Sequence, residues 1–102
     1  MYLHIVIMAF NKKMTTCLRT QIEQCLRNIP HECEGVERIE HVDNQSRTSA
    51  GYTHALVSAF SSGHALDAYR TSTSHSQLIA KLEPHINEIV VLDGALKQDW
   101  RL

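Results

Sequence analysis

Nothing in this 102-residue sequence is one-sided. Glycine and proline are scarce, at 4 and 2 residues, so there is no flexible linker and no low-complexity tract. Ten Lys and Arg stand against 11 Asp and Glu, and neither sign gathers into a run. That excludes the basic footprint of a nucleic-acid binder and the charged face of a membrane-surface helix. No apolar run approaches the ~20 residues that span a bilayer. Met1-Tyr2 offers no basic leader region, and the first apolar stretch is cut by His4 and ends at Asn11-Lys12-Lys13. The chain is therefore expected to be cytoplasmic. Gly-rich phosphate loops and Gly-x-Ser-x-Gly elbows are missing too, which removes the commonest signatures of nucleotide binding and serine hydrolysis.

Three cysteines are present, an odd number. Cys17 and Cys25 fall on one predicted helix, where eight residues rise ~12 Å, beyond the ~7 Å Cα separation a disulfide allows. Cys17, Cys25 and Cys33 are expected as free thiols. The length suits one domain, 1–102, with a core over 2–96 and a tail over 97–102. A chain this short has a modest core and gains from a partner chain.

The hydrophobic pattern predicts the elements. Residues 2–10 are apolar on both parities, Leu3, Ile5 and Ile7 against Val6, Met8 and Phe10, as in a central strand. Over 14–28, Leu18, Ile22, Cys25, Leu26 and Ile29 form one helical stripe. Thr15 or Thr16 caps its start and Pro30 follows its end. Residues 35–43 are a charge-rich edge strand, with Glu37, Ile39, His41 and Asp43 on one parity. Residues 52–60 are again central. Two helical pieces follow, 63–71 and 74–82, broken near Thr71-Ser72-Thr73. In the second, His75, Leu78, Ile79 and Leu82 share a face, which turns His75 toward the core. Residues 86–95 form the last strand.

The order β-α-β-β-α-β with right-handed crossovers puts both helices on one face of a four-stranded antiparallel sheet, an α+β ferredoxin-like fold. The first and third strands lie inside and the second at an edge. Either parity of the first strand leaves an apolar row on the far face, which calls for a cover. A second copy is the simplest one, so a homodimer packed sheet to sheet is expected. Trp100, in the tail, is available to pack on a neighbour.

Four short segments in order, His4-Ile5-Val6, Gly51-Tyr52-Thr53-His54-Ala55-Leu56-Val57, Asp67-Ala68-Tyr69 with His75 six residues on, and Val90-Val91-Leu92-Asp93, resemble the stress-responsive α/β-barrel (Dabb) family of the dimeric α/β-barrel superfamily. Ser72-Thr73 stand where that family usually carries His-Pro. Some members resemble plant polyketide cyclases. The resemblance implies Tyr69 and His75 as catalytic residues, with His4 and His54 as ligand-binding residues of one cavity; no cofactor and no metal are expected. His75 then acts as general base, its imidazole titrating near ~6.5, and Tyr69 orients it or binds a developing enolate.

A plainer reading makes His75 a helix-start residue, Tyr69 a core aromatic, and His4 and His54 buried hydrogen-bonded side chains. Metal spacing is confined to His31-Glu32-Cys33, with no second pair beside it. His31, His41, His64 and His85 are expected to be solvated or at element ends, and Ser58 to lighten strand packing. The resulting expectation is a barrel protein that holds a small apolar or aromatic molecule between sheet and helices, with acid–base chemistry of the cyclase or lyase kind. Alternatives are a non-catalytic structural or protein-interaction dimer, and a cofactor-free monooxygenase of quinol-like substrates.

Overall fold

The computed structural model describes residues 1–100. Its elements run β1 (Tyr2–Phe10), α1 (Thr16–Glu32), β2 (Val36–Asp43), β3 (His54–Phe60), α2 (Gly63–Arg70), α3 (Thr73–Leu82), a 3₁₀ turn (Glu83–His85) and β4 (Ile86–Ala95). The sheet order is β2-β3-β1-β4, all neighbours antiparallel. This is the ferredoxin-like topology the sequence pattern calls for, with β1 and β3 inside and β2 at an edge. Of the expected tail, Arg101 and Leu102 lie outside the described residues.

Burial alternates along β1: His4, Val6 and Met8 are buried and their odd-numbered neighbours are half-buried. The even row therefore faces the helices. Across the ladder His4 pairs with Ser58 and Asp93, Val6 with Leu56 and Val91, and Met8 with His54 and Ile89. These residues share the helix-side face, because directly opposed residues point the same way. The core between sheet and helices is built on Met8, Phe60, Ile22, Ile29, Leu66, Leu78 and Leu82, all close to fully buried.

α1 starts at Thr15, whose hydroxyl accepts the Leu18 N–H at 3.1 Å. Its end differs from expectation. Pro30 lies inside the last turn and the helix continues to Glu32. One ladder bond is lost where proline has no N–H. The Cys33 N–H still reaches the Ile29 carbonyl at 2.9 Å, and Ile29 is only 1% exposed, so packing of the stripe holds the turn. Gly35 then turns the chain at φ 83°; a Cβ there would sit 2.5 Å from the Ala65 Cβ. Only glycine lets the α1–β2 turn pass so close to α2.

No described helix is long and apolar enough to cross a membrane. The three cysteines are free. β4 is the least covered element: Ile89 and Val91 on the helix side and Val90 and Leu92 on the far side are each about half exposed.

Candidate functional site

The break between α2 and α3 sets the site. Where a proline would interrupt the helix, Ser72 does so with its hydroxyl, which donates to the Tyr69 carbonyl at 2.6 Å and accepts the His75 N–H at 3.1 Å. One side chain thus closes α2 behind Tyr69 and caps α3 in front of His75. The two rings meet edge to face, centroids 5.0 Å apart.

Tyr69 and His75 line a cavity between the sheet and α3, together with His4 and Ser58 on the strands and apolar side chains that include Val6, Leu78 and Ile89. Its volume is about 30 Å³, room for about one or two waters. A wider recess of about 240 Å³ adjoins it, lined by Glu83, Asn87 and Glu88 and sharing Ile79, Leu82, Ile86 and Ile89. The shared side chains form the partition between inner cavity and surface.

Polar groups in this apolar setting are held tightly. The Nδ1 of His4 lies 2.5 Å from the Asp93 carboxylate, and Asp93 also receives Arg70 from the end of α2. Burial works against the Asp93 carboxylate, but the His4 hydrogen bond and the Arg70 charge outweigh it and keep its pKa below the ordinary value. Burial lowers the His75 pKa, the nearby His4 adds to this, and a hydrogen bond to the Arg70 main chain partly offsets it. His75 is thus a neutral imidazole at neutral pH, free to accept a proton. Burial drives the Tyr69 phenol the other way, well above its usual value, so Tyr69 keeps its proton at neutral pH. Ser58, expected to lighten packing, also makes a polar contact, its hydroxyl donating to the His4 carbonyl at 2.7 Å.

His54 is elsewhere. It pairs with Met8 while His4 pairs with Ser58, and four strand residues separate the two positions by roughly 13 Å. His54 packs against Phe10, ring centroids 4.4 Å apart, and its Nδ1 lies 3.0 Å from the Nε2 of His41. His4 and His54 therefore do not line one cavity. His41 corrects a second expectation, because its side chain is only 5% exposed. The parity of Ile39, His41 and Asp43 already held that signal: once Ile39 is buried against the core, His41 points the same way. No local sequence pattern marks Asp93 or Arg70 as members of the site.

A four-stranded antiparallel sheet with its helices on one face, and a small cavity with convergent ionisable groups beneath them, define a ferredoxin-like α+β protein. The chain belongs to the family described as Stress responsive A/B Barrel Domain, Dabb, whose model matches residues 3–95. No curated protein matches its sequence. Among solved structures it is similar to an Arabidopsis thaliana protein at 16% identity and a TM-score of 0.82, over 99% of this chain and 100% of that one. It is similar to the hydroxynitrile lyase of Passiflora edulis at 18% identity and 0.79, over 98% and 96%. A dimeric ferredoxin-like protein of unknown function from Thermobifida fusca matches at 19% and 0.77, over 93% and 90%. At these identities the likeness is one of fold.

Proposed function

We propose that this Dabb protein binds a small, largely apolar carbonyl compound between sheet and helices and moves a proton on it, in a cyclase- or lyase-type reaction. The observation that carries the reading is the convergence of His4, Tyr69 and His75 on one apolar cavity, the usual form of a small-molecule site. His75 is the base. In a cyclase-type step it takes the proton α to a carbonyl, the C–H electron pair becomes the C=C bond of the enolate, and the carbonyl π pair moves onto the oxygen. There the Tyr69 hydroxyl donates a hydrogen bond. The resulting enolate carbon then attacks a second carbonyl, whose π pair moves onto its oxygen, and that alkoxide takes the proton back from the His75 imidazolium. In a lyase-type step on a cyanohydrin, His75 takes the hydroxyl proton, the carbonyl forms, and cyanide leaves with the C–C electron pair. The hydroxynitrile lyase among its structural neighbours makes the second class worth assaying first. His4, braced by Asp93 and Arg70, fixes the substrate from the strand side. Entry is from the β4 edge, where Ile79, Ile86 and Ile89 separate the recess from the inner cavity.

The test is a thermal-shift screen of small aromatic aldehydes, their cyanohydrins and short polyketide-like compounds, followed by turnover assays on whatever binds. A ligand at ~100 times its Kd adds ~2.7 kcal/mol, worth several degrees for a domain of this size. The shift is expected to shrink and turnover to vanish in His75→Ala. Full turnover in that variant overturns the role of His75.

A second reading, a non-catalytic dimer, is favoured by one observation, that side chains leave only about 30 Å³ in the inner cavity. A screen with no hit at all decides for it. In either reading the assembly we propose is a homodimer through the far face of the sheet. Supporting it are the exposed Val42, Val90 and Leu92 and the dimeric state of structural neighbours.

A further inference from the structure

At the opposite end of the helix-side face from His4, three side chains meet without any share in the cavity. Asp43, the last residue of β2, is paired in register with His54, the first of β3. His41 precedes Asp43 by two residues and so shares its side of the sheet. The Nδ1 of His54 is 3.0 Å from the Nε2 of His41 and 3.1 Å from an Asp43 oxygen; that oxygen and the His41 Nε2 are 3.9 Å apart. Donor atoms bound at ~2.0–2.1 Å to one tetrahedral zinc lie about 3.3–3.4 Å from each other, in the middle of this range. We propose that His41, Asp43 and His54 form a binding site for a divalent transition-metal cation.

The donor set is two imidazoles and one carboxylate, which first-row divalent ions such as Zn²⁺ take, and which hard-cation sites built from oxygen do not resemble. The side chains of His41 and His54 are 5% and 10% exposed and that of Asp43 is 49% exposed. The triad thus forms a wall with one side open, which leaves coordination positions for water. The supports are rigid. Phe10 packs against His54 with the rings tilted at 59°. Arg19, in the first turn of α1, grips both Asp43 oxygens at 3.0 and 3.2 Å and so keeps one of them turned to the imidazoles, as the outer partners of metal ligands do. Burial lowers the pKa of both histidines, and the neutral imidazole is the form that ligates. The charge of Arg19, bonded to Asp43, opposes the cation and weakens its binding. The lysines at the rim, Lys12 and Lys13, act in the same direction from further out.

Chelator-treated protein with its cysteines alkylated is titrated with Zn²⁺ alone, by calorimetry and by NMR of the histidine rings. One equivalent per chain is expected, with ring signals of His41 and His54 moving and those of exposed His31 and His64 staying. His41→Ala and Asp43→Asn, each checked for fold by circular dichroism, are expected to weaken binding by about tenfold or more. His31→Ala is expected to leave it unchanged. The ring signals of unaltered protein decide the matter if a variant fails to fold. Absence of saturable binding, movement of other rings alone, or full affinity in both folded variants overturns the proposal. None of these outcomes bears on His75, so this site and the proposed cavity stand or fall separately.

Discussion

At the scale of single residues, Ser72 carries more than its size suggests. A family that usually places proline at this helix break obtains a stop by removing an N–H and fixing φ. Here the same stop is made by a hydroxyl that bonds forward to the His75 N–H and back to the Tyr69 carbonyl. Ser72→Ala removes both bonds and leaves the His75 N–H without its cap. The expected cost is about 1 kcal/mol, in line with other N-cap losses, read as a lower denaturant midpoint at unchanged slope. A merely local loss would stop there. Because Ser72 also spaces the two rings, ligand binding at the cavity is expected to weaken more than stability does. Equal binding by Ser72→Ala and unaltered protein would limit Ser72 to a structural cap. The sequence shows Ser72 only as a departure from a pattern; the direction of its two bonds comes from the way α2 and α3 meet.

At the scale of elements, most boundaries follow from hydrophobic periodicity, and the exceptions have physical reasons. α1 runs through Pro30 because the stripe ending in Ile29 stays packed, a tertiary effect stronger than a local stop signal. β3 begins at His54, two residues later than expected, since Tyr52 and Thr53 are taken up by the loop: the Tyr52 N–H bonds back to the Ser49 carbonyl. Tyr69 and His75 are legible as a pair through the family resemblance, whereas pairs such as His4 with Asp93, 89 residues apart, depend on register that no single strand encodes. The β2–β3 edge holds a pH prediction. His41 and His54 both titrate in the folded state below their ordinary value of about 6.5, chiefly through burial. The unfolded chain then binds more protons in that region, so stability rises with pH. This contribution is complete above the unfolded value and is lost as pH falls through 6.5 toward the folded values. His75 shifts the same way and adds to the slope. Melting curves between pH 7.5 and pH 5, with a chelator present, are expected to move down on acidification. His41→Gln, which cannot titrate, is expected to flatten the dependence. An unchanged slope in that variant would remove His41 from the account.

At the scale of the molecule, the proposed homodimer rests on the far face of the sheet. β1 turns His4, Val6 and Met8 to the helices, so Leu3, Ile5 and Ile7 turn away. Register adds Val57 opposite Ile5, Ala55 opposite Ile7, and Val90 and Leu92 from β4. A contiguous apolar field of this kind is rarely left in water. Part of it lies beside Trp100, which lines a recess with Leu3, Val57 and Arg38, and the N-terminal ammonium pairs with Asp99 to hold that segment down. Trp100 itself is 57% exposed, so the segment shields only one end of the field. Closure by a second copy about a two-fold axis brings the same rows face to face and buries both. Light scattering is expected to give twice the 11.6 kDa of one chain. Val57→Lys sets a charge in the middle of that contact, on a strand surface that stays open in one chain, and is expected to yield a folded or partly folded monomer. If the variant remains a dimer of unchanged affinity, the far face is not the interface. The exposed Ile89 and Val91 on the other side of β4 then become the surface to test, because they are the remaining apolar pair on an uncovered strand edge.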